Sequence, residues 1–294
     1  MSVLVCENIS MKSRRHKIIH NFSYNFLDAK VYTLAGKAES GQKELLDLIT
    51  ARQDCFEGTL TLDGELYTHN SLESYKVCYL PPDTTFAGGM TIFEIFRLMA
   101  SFFPNWDTYY AYELVNFFEI NYKSAYGSLN DVQKSLLLGV LSLATRANIT
   151  VLYHPVERAD IKSRYDYFNF LYTHQEKYPR TFIIATNIVD EIDYLTDNLL
   201  LLDKGKLIST FAINELQDSF KYLTGKSEVL RSLITGVKVI GYEERGKMLT
   251  VCIREKLRKD DIRKYQKYLI KISDVPIQKI VIYLISLREI KGVS

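Results

Sequence analysis

Tryptophan, proline and cysteine are scarce in this chain of 294 residues, which has one Trp, six Pro and four Cys. The cysteines, Cys6, Cys55, Cys78 and Cys252, lie far apart and form no C-x-x-C pair, and the five histidines are also scattered. This spacing argues against a metal site or a redox motif. We interpret the cysteines as small buried hydrophobic residues of a protein in a reducing compartment.

Long apolar runs and a strong charge imbalance are also missing. No apolar stretch approaches the ~20 residues that a membrane-spanning helix needs, and no charged region followed by an apolar segment indicates a signal peptide. The net charge is +2, which argues against a nucleic-acid binder that works by neutralising phosphates. We therefore expect a cytoplasmic protein without a nucleic-acid partner.

Strands alternate with helices along most of the chain, and hydrophobic residues make up 47% of it. This order favours a mainly parallel sheet covered on both faces. The predicted elements of this layer are strands at 31–35, 77–80, 149–153 and 181–186, and helices at 131–147, 161–178 and from Val189.

Shorter antiparallel elements accompany this layer. Strands at 2–9 and 18–26 flank a basic connection at 12–17, which we interpret as a solvated turn. Hairpins are predicted at Asp63-Gly64 and at Lys204-Gly205, since such pairs favour tight turns. A helical, aromatic-rich segment begins near residue 90 and interrupts the strands.

The pattern restarts after Gly225 with strands at 237–242 and 248–254, a helix at 258–272 and a strand at 277–284. These elements predict a small α+β domain. The domains are therefore expected at 1–225, with a helical insert at about 90–147, and at 226–294.

The segment 31–49 has the layout of a phosphate-binding P-loop: an apolar strand, a turn of small residues and a helix. That motif reads G-x-x-x-x-G-K-[ST]. Gly36 and Gly41 occupy the glycine positions, but Gln42 stands at the lysine position and Lys43 at the Ser/Thr position. Lys43 cannot replace the lysine by a slip of register, because one residue rotates a helical side chain by ~100°.

Further landmarks follow the loop in a specific order: GTLTLDG, YLPPDTTFAGGMTIFEIF, GSLNDVQKSLLLGVLSLA, TVLYHP and FIIATNIVDEIDYLTDNLLLLDKGKL. With them, residues 1–225 resemble the nucleotide-binding subunit of an ATP-binding cassette (ABC) transporter. FFPNW at 102–106 resembles a subgroup of bacterial drug- and peptide-exporter ATPases that share a C-terminal appendage. The resemblance implies an α/β fold with a P-loop NTPase-like parallel sheet, an antiparallel β subdomain, a helical subdomain and a small α+β C-terminal domain.

The family's phosphate-binding positions are altered here. The resemblance places Gln42 at the Walker A lysine and Lys43 at the Mg²⁺-ligating hydroxyl. Glu39 replaces a small loop residue and adds negative charge where phosphates would lie. Pro82 stands at the Q-loop glutamine, and no aromatic residue for adenine stacking is found near Ser13.

The other family positions are altered as well. The signature motif becomes 127–131, which keeps Ser128 but has Asn130 in place of a glycine. In the Walker B strand, Tyr153 replaces the Mg²⁺-ligating aspartate and His154 the catalytic glutamate. Asn187 replaces the switch histidine, whereas Asp160 matches the D-loop aspartate.

Phosphoryl transfer needs a positioned cation, a metal ion and an oriented nucleophile. We therefore expect no catalytic residue, no metal ligand, ATP binding that is weak or absent, and no Mg²⁺. The residues at nucleotide-binding positions are Gly36, Lys37, Ser40, Gly41, Gln42, Lys43, Ser128, Asn130, Tyr153, His154, Asp160 and Asn187. One hypothesis is that Lys43 supplies the charge of the missing metal and permits metal-independent binding.

The leading interpretation is a catalytically degenerate subunit of an ABC transporter, an exporter by its subgroup, with a structural or regulatory role. Its partners would be a membrane-spanning subunit, contacted through the aromatic insert, and another ATPase subunit or a second copy. It would then lie at the inner face of the cell membrane. The alternatives are an ATP-hydrolysing transporter subunit and a soluble regulatory protein derived from such a subunit.

Overall fold

The computed structural model describes residues 3–13, 16–37, 39–55 and 57–291. The chain packs as two compact units, the first comprising 1–187 and 194–210 and the second 188–193 and 211–294. The sequence predicted a boundary near residue 225. The difference arises at Phe220–Lys226, a strand that pairs with later strands of the second unit.

The first unit contains a six-stranded, mainly parallel sheet. Its strands, given in chain order, are β3 (Val31–Gly36), β6 (Val77–Tyr79), β7 (Ile149–Tyr153), β8 (Thr181–Ala185), β9 (Asn198–Asp203) and β10 (Lys206–Ala212). Their order in the sheet is β10-β9-β3-β8-β7-β6. Because β3 and β7 both pair with β8 in parallel, the loops after these three strands meet at one edge. Parallel strands that are buried on both faces consist of nearly continuous apolar residues, and the predicted strands have this composition.

Antiparallel strands form a second sheet in the first unit. They are β1 (Leu4–Ser13), β2 (His16–Phe26), β4 (Glu57–Leu62) and β5 (Glu65–Leu66), in the order β2-β1-β4-β5. The hairpin predicted at Asp63-Gly64 is confirmed, with φ of 56° and 88° at the two residues, as a tight antiparallel turn requires. Arg14 and Arg15, in the predicted basic connection, lie outside the described residues, as does Ser2 of the first predicted strand.

The described part of the first unit also contains five α-helices. They are α1 (Gln42–Ile49), α2 (Ile92–Phe102), α3 (Thr108–Phe117), α4 (Asp131–Ala144) and α5 (Ile161–Lys177). The segment predicted as a helical insert contains α2, α3 and α4. A capping box begins α2, since Thr91 accepts from the Glu94 amide and Glu94 accepts from the Thr91 amide. No helix in the described ranges is long and apolar enough to cross a membrane.

The second unit is an α+β domain. Its antiparallel sheet has the order β12-β13-β11-β14, and its elements are α6 (Ile213–Ser219), β11 (Phe220–Lys226), α7 (Ser227–Leu233), β12 (Val239–Arg245), β13 (Met248–Arg254), α8 (Lys259–Lys267), β14 (Lys271–Asp274) and α9 (Ile277–Lys291). Leu223, Leu230, Val251 and Tyr265 belong to its own hydrophobic core.

Three predicted elements of the chain were wrong. The predicted strand at 277–284 is part of α9, in which Ile277, Ile280 and Val281 are buried at helical spacing. The predicted helix at 258–272 ends early, and its last part is β14, which pairs with β11.

The predicted helix from Val189 consists of two short 3₁₀ turns at Val189–Glu191 and Asp193–Leu195. There the Val189 amide donates to the Gln278 side chain (2.6 Å), and the Gln278 amide donates to Asp190 Oδ1 (2.8 Å). Tertiary hydrogen bonds therefore replace the helical ladder in this segment.

Candidate functional site

The candidate site lies at the carboxyl edge of the parallel sheet, where β3, β7 and β8 end. Gly36 ends β3 and leads into the loop that precedes α1. A Cβ at Gly36 would lie 2.4 Å from Ser40 Oγ and 2.6 Å from the Leu202 carbonyl oxygen. Position 36 therefore requires glycine because the loop folds back against β9.

The end of this loop is a tight turn that leads into α1. Gly41 adopts φ 91° and precedes α1, and its carbonyl accepts the first helical hydrogen bond, from Leu45 (2.9 Å). The Ser40 amide donates to the Lys37 carbonyl (3.1 Å), and the Ser40 carbonyl accepts from Gly205 (2.8 Å). Ala38, inside the loop, is outside the described residues. The glycine positions predicted from the sequence therefore serve a tight turn that starts a helix.

Gln42, at the lysine position, does not extend toward the loop. Its side chain is 5% exposed, and Nε2 donates a 2.8 Å hydrogen bond to the carbonyl oxygen of Leu34 in β3. A lysine that contacts phosphates would have to leave this buried position. The Gln42 amide instead ties the first turn of α1 to the sheet.

Lys43, the next residue, is a surface side chain. Its Nζ lies 3.3 Å from Asp47 Oδ2, one turn along α1, and the side chain is 42% exposed. Arg52 reaches the same carboxylate at 3.7 Å. Glu39 is exposed in the loop with φ 65°. The charges nearest to the loop's end are therefore mixed in sign.

Tyr153 is the last residue of β7, and His154 follows it at the same edge of the sheet. Their rings meet edge to face with centroids 4.5 Å apart. Tyr153 packs against the core, and burial raises its pKa, helped by the charges of Glu44 and Glu157 and opposed by Lys43. Helix α1 packs against β7, the strand that ends at Tyr153.

His154 has φ 45°, and its amide donates to the Ala185 carbonyl in β8 (2.9 Å). Burial lowers the pKa of its imidazole, with a smaller opposing effect of Glu157 and a lowering effect of Arg164. The neutral form of the side chain is therefore favoured. Asn187 follows the end of β8 and is exposed.

The signature and D-loop positions act as helix caps. Asn130 Oδ1 accepts from the Gln133 amide (2.9 Å), and Gln133 Oε1 accepts from the Asn130 amide (3.2 Å) at the start of α4. Asp160 caps α5 through Ser163, and hydrogen bonds from Ser163 lower its pKa. Ser128 Oγ donates to the Ala125 carbonyl (2.7 Å). Our sequence interpretation missed these caps, although Asn-x-x-Gln before an apolar run is a known signal.

A cavity of about 280 Å³ lies between the signature region and the end of β7. It is lined by Pro82 and residues near it, by Tyr126, by residues along α4 from Asp131 to Ser142, and by residues 152–158. The structure therefore brings Pro82, Tyr153 and His154 to one cavity. The charged side chains at the cavity are Asp131, Lys134, Glu157 and Arg158.

Comparison with known proteins gives related sequences and folds. No family model matches the chain. It is 23% identical over 206 residues to the ABC transporter ATP-binding protein YtrB of Bacillus subtilis, covering 70% of both chains. It is 26% identical over 212 residues to the spermidine/putrescine import ATP-binding protein PotA of Pasteurella multocida, covering 70% of this chain and 57% of that protein.

Solved structures match a similar share of the chain. An ATP-binding subunit of an ABC transporter superimposes with a TM-score of 0.65 at 13% identity, over 73% of this chain and 92% of that one. A nucleotide-free ATP-binding cassette gives a TM-score of 0.60 at 20% identity, over 72% and 92%. The chain is therefore similar in sequence and in fold to ATP-binding subunits of ABC transporters.

Proposed function

We propose that this chain is a catalytically degenerate ABC transporter subunit with a structural or regulatory role in a membrane complex. The observation that carries the proposal is the buried hydrogen bond from Gln42 Nε2 to the Leu34 carbonyl. It gives the lysine position a role in holding α1 to the sheet. Binding of triphosphate would need a cation at that position.

The groups around the loop support weak ATP binding and no bound Mg²⁺. A phosphate-bound Mg²⁺ needs oxygen ligands, whereas positions 43 and 153 carry an ammonium group and a phenol. Lys43 is paired with Asp47. If Lys43 served as a substitute for the metal, that ion pair would have to open. We therefore propose that Lys43 stabilises α1 and does not replace Mg²⁺.

The helical insert supports a membrane-spanning partner. Large apolar side chains are exposed on α2 and α3: Phe93 (44%), Phe102 (62%), Tyr109 (89%) and Phe117 (48%). Exposed aromatic residues are enriched at protein interfaces. In this proposal the insert docks to the membrane subunit, and the chain lies at the inner face of the membrane and pairs with another ATPase subunit or a second copy.

Phosphate release and co-purification test the proposal. We expect the full chain to release no phosphate from ATP above a no-protein blank, and to co-purify with a membrane-spanning transporter subunit. The double variant Phe102→Ser/Tyr109→Ser should lose that subunit, whereas Leu72→Ser, outside the insert and 95% exposed, should keep it.

Two outcomes would contradict the proposal. Steady phosphate release that Gln42→Ala or His154→Ala abolishes would identify a working ATPase. A chain that co-purifies with no membrane protein would favour a separate regulatory protein.

A further inference from the structure

A buried cluster of polar side chains lies away from the candidate site, at the junction of α3, α4, α5 and β8. Arg180, directly before β8, is 5% exposed. Its Nη2 donates to the Leu143 carbonyl (2.8 Å) near the end of α4, and its guanidinium lies 4.8 Å from the Phe182 ring centre. Its Nε and Nη1 have no hydrogen-bond partner among the described residues. Three N–H bonds of a buried cation are therefore unsatisfied.

His174 contributes further unsatisfied atoms. It is 4% exposed and stacks on Tyr110 with ring centres 4.6 Å apart. In the described part of the chain, neither ring nitrogen has a hydrogen-bond partner, and the same holds for the buried hydroxyl of Tyr167, two turns earlier on α5. Two hydrogen bonds hold Arg180 at this end of α5, since its amide donates to Gln175 Oε1 (3.1 Å) and its carbonyl accepts from Gln175 Nε2 (2.8 Å). Gln175 directly follows His174. The charge of Arg180 adds to the effect of burial, which lowers the pKa of His174 to about 3.

The cluster has a positive charge without a negative partner. Within the described ranges, no carboxylate forms an ion pair with Arg180, and the nearby Asp107 is paired with Arg146. Burial raises the pKa of the Cys78 thiol to about 11, so that it is not a thiolate at neutral pH. Burial also raises the pKa of the Tyr110 and Tyr167 hydroxyls. Arginine does not lose its proton in proteins, and an isolated buried charge is costly.

We propose that Arg180 and His174 bind a single halide-sized anion, such as chloride, inside the first unit. Arg180 offers three N–H donors from Nε and Nη1, and neutral His174 offers one. An anion accepts from all of them and also neutralises the charge. A water molecule also has two protons of its own to donate, and in this site donors outnumber acceptors. The donor set and the uncompensated charge therefore favour an anion over water.

Crystals of the full chain grown in sodium bromide test the proposal directly. We expect an anomalous scattering peak at hydrogen-bond distance from Arg180 Nε or Nη1. Density without anomalous signal at this position, which identifies water, would overturn the proposal. An empty position would overturn it as well.

Thermal unfolding in chloride gives a second test that needs no crystal. Chloride is compared with gluconate, which is too large for a buried monoatomic site, at equal ionic strength. Ligand binding to the folded state alone raises the folding equilibrium constant about 30-fold at a concentration 30 times Kd. We therefore expect a chloride-specific rise in Tm.

Variants separate specific binding from a general effect of salt. Arg180→Met should abolish the chloride-specific rise, and His174→Phe, which keeps a ring beside Tyr110, should reduce it. Tyr110→Phe is the matched control, since its hydroxyl already donates to the Phe170 carbonyl (3.3 Å). It should keep the full rise. An equal chloride effect in wild type and His174→Phe would contradict the proposal, even if Arg180→Met fails to fold.

Discussion

The loop at residues 36–43 and the end of β7 meet at one edge of the sheet, but different forces shape them. The conformation of the loop is set by close contacts and by the backbone. Gly36 lies against Leu202 and Ser40, and Gly41 has a positive φ. The end of β7 is held by side-chain packing, because the rings of Tyr153 and His154 contact each other. The comparison indicates that the shape of the loop depends on contacts within the fold itself.

The largest expected effect is that of Gly36→Ala. The added methyl group would overlap a backbone carbonyl oxygen, which cannot move as a side chain can. We expect the free energy of unfolding to fall by about 3 kcal/mol, at the upper end of the usual cost of overpacking. Urea denaturation measures it. Gly89→Ala is the control, because nothing lies within 4 Å of its added Cβ, and an equal loss there would contradict the steric account.

Gln42→Glu tests whether position 42 is held by its hydrogen bond. The isosteric carboxylate cannot donate to the Leu34 carbonyl unless it is protonated, so we expect a loss of about 2 kcal/mol at pH 8. Since burial favours the protonated form, the loss should shrink as pH falls toward 5. Gln53→Glu makes the same change at an exposed position. Equal unfolding free energies for both variants at pH 8 would refute the buried role of Gln42.

The pH dependence of stability addresses the end of β7. The pKa of His154 is lower in the folded chain than the usual 6.5, so the folded state binds fewer protons there. The contribution of His154 to the free energy of unfolding is therefore fully present above pH 6.5. It is lost as pH falls through the pKa that His154 has in the folded chain. Asn tolerates the positive φ at this position.

We therefore expect His154→Asn to have a shallower acid limb in unfolding free energy against pH. The buried His174, whose pKa is lowered to about 3, is unchanged in both proteins. Acid limbs of equal slope would show that His154 is not desolvated.

The smallest effect is expected for Lys43→Gln. Exposed ion pairs at i, i+4 contribute about 0.3–0.5 kcal/mol, and salt screens them. Lys162→Gln removes a pair of the same spacing on α5, so the two variants should lose similar stability in low salt and little in 1 M salt. A much larger loss for Lys43→Gln would mean that this lysine does more than pair with Asp47.

Parts of the fold could be predicted because they depend on short stretches of sequence. Asp63-Gly64 and Lys204-Gly205 specify tight turns within two residues, and apolar runs specify buried parallel strands. The direction of Gln42 depends on a carbonyl of another strand, which no local pattern reports.

In the second unit, the run 277–284 fits both a strand and a buried helix by periodicity. Its packing within that unit decides in favour of α9. The buried polar cluster at Arg180 escaped sequence interpretation for the same reason, because Tyr110, His174 and Arg180 meet only in the folded chain.

Nucleotide binding tests the central claim, that the loop's shape is kept while its phosphate chemistry is lost. Labelled ATP is titrated into the full chain with Mg²⁺ and again with EDTA. The account predicts weak binding or none, equal in both conditions, and no change on Lys43→Gln. Tight binding that requires Mg²⁺ and is lost in EDTA would contradict it.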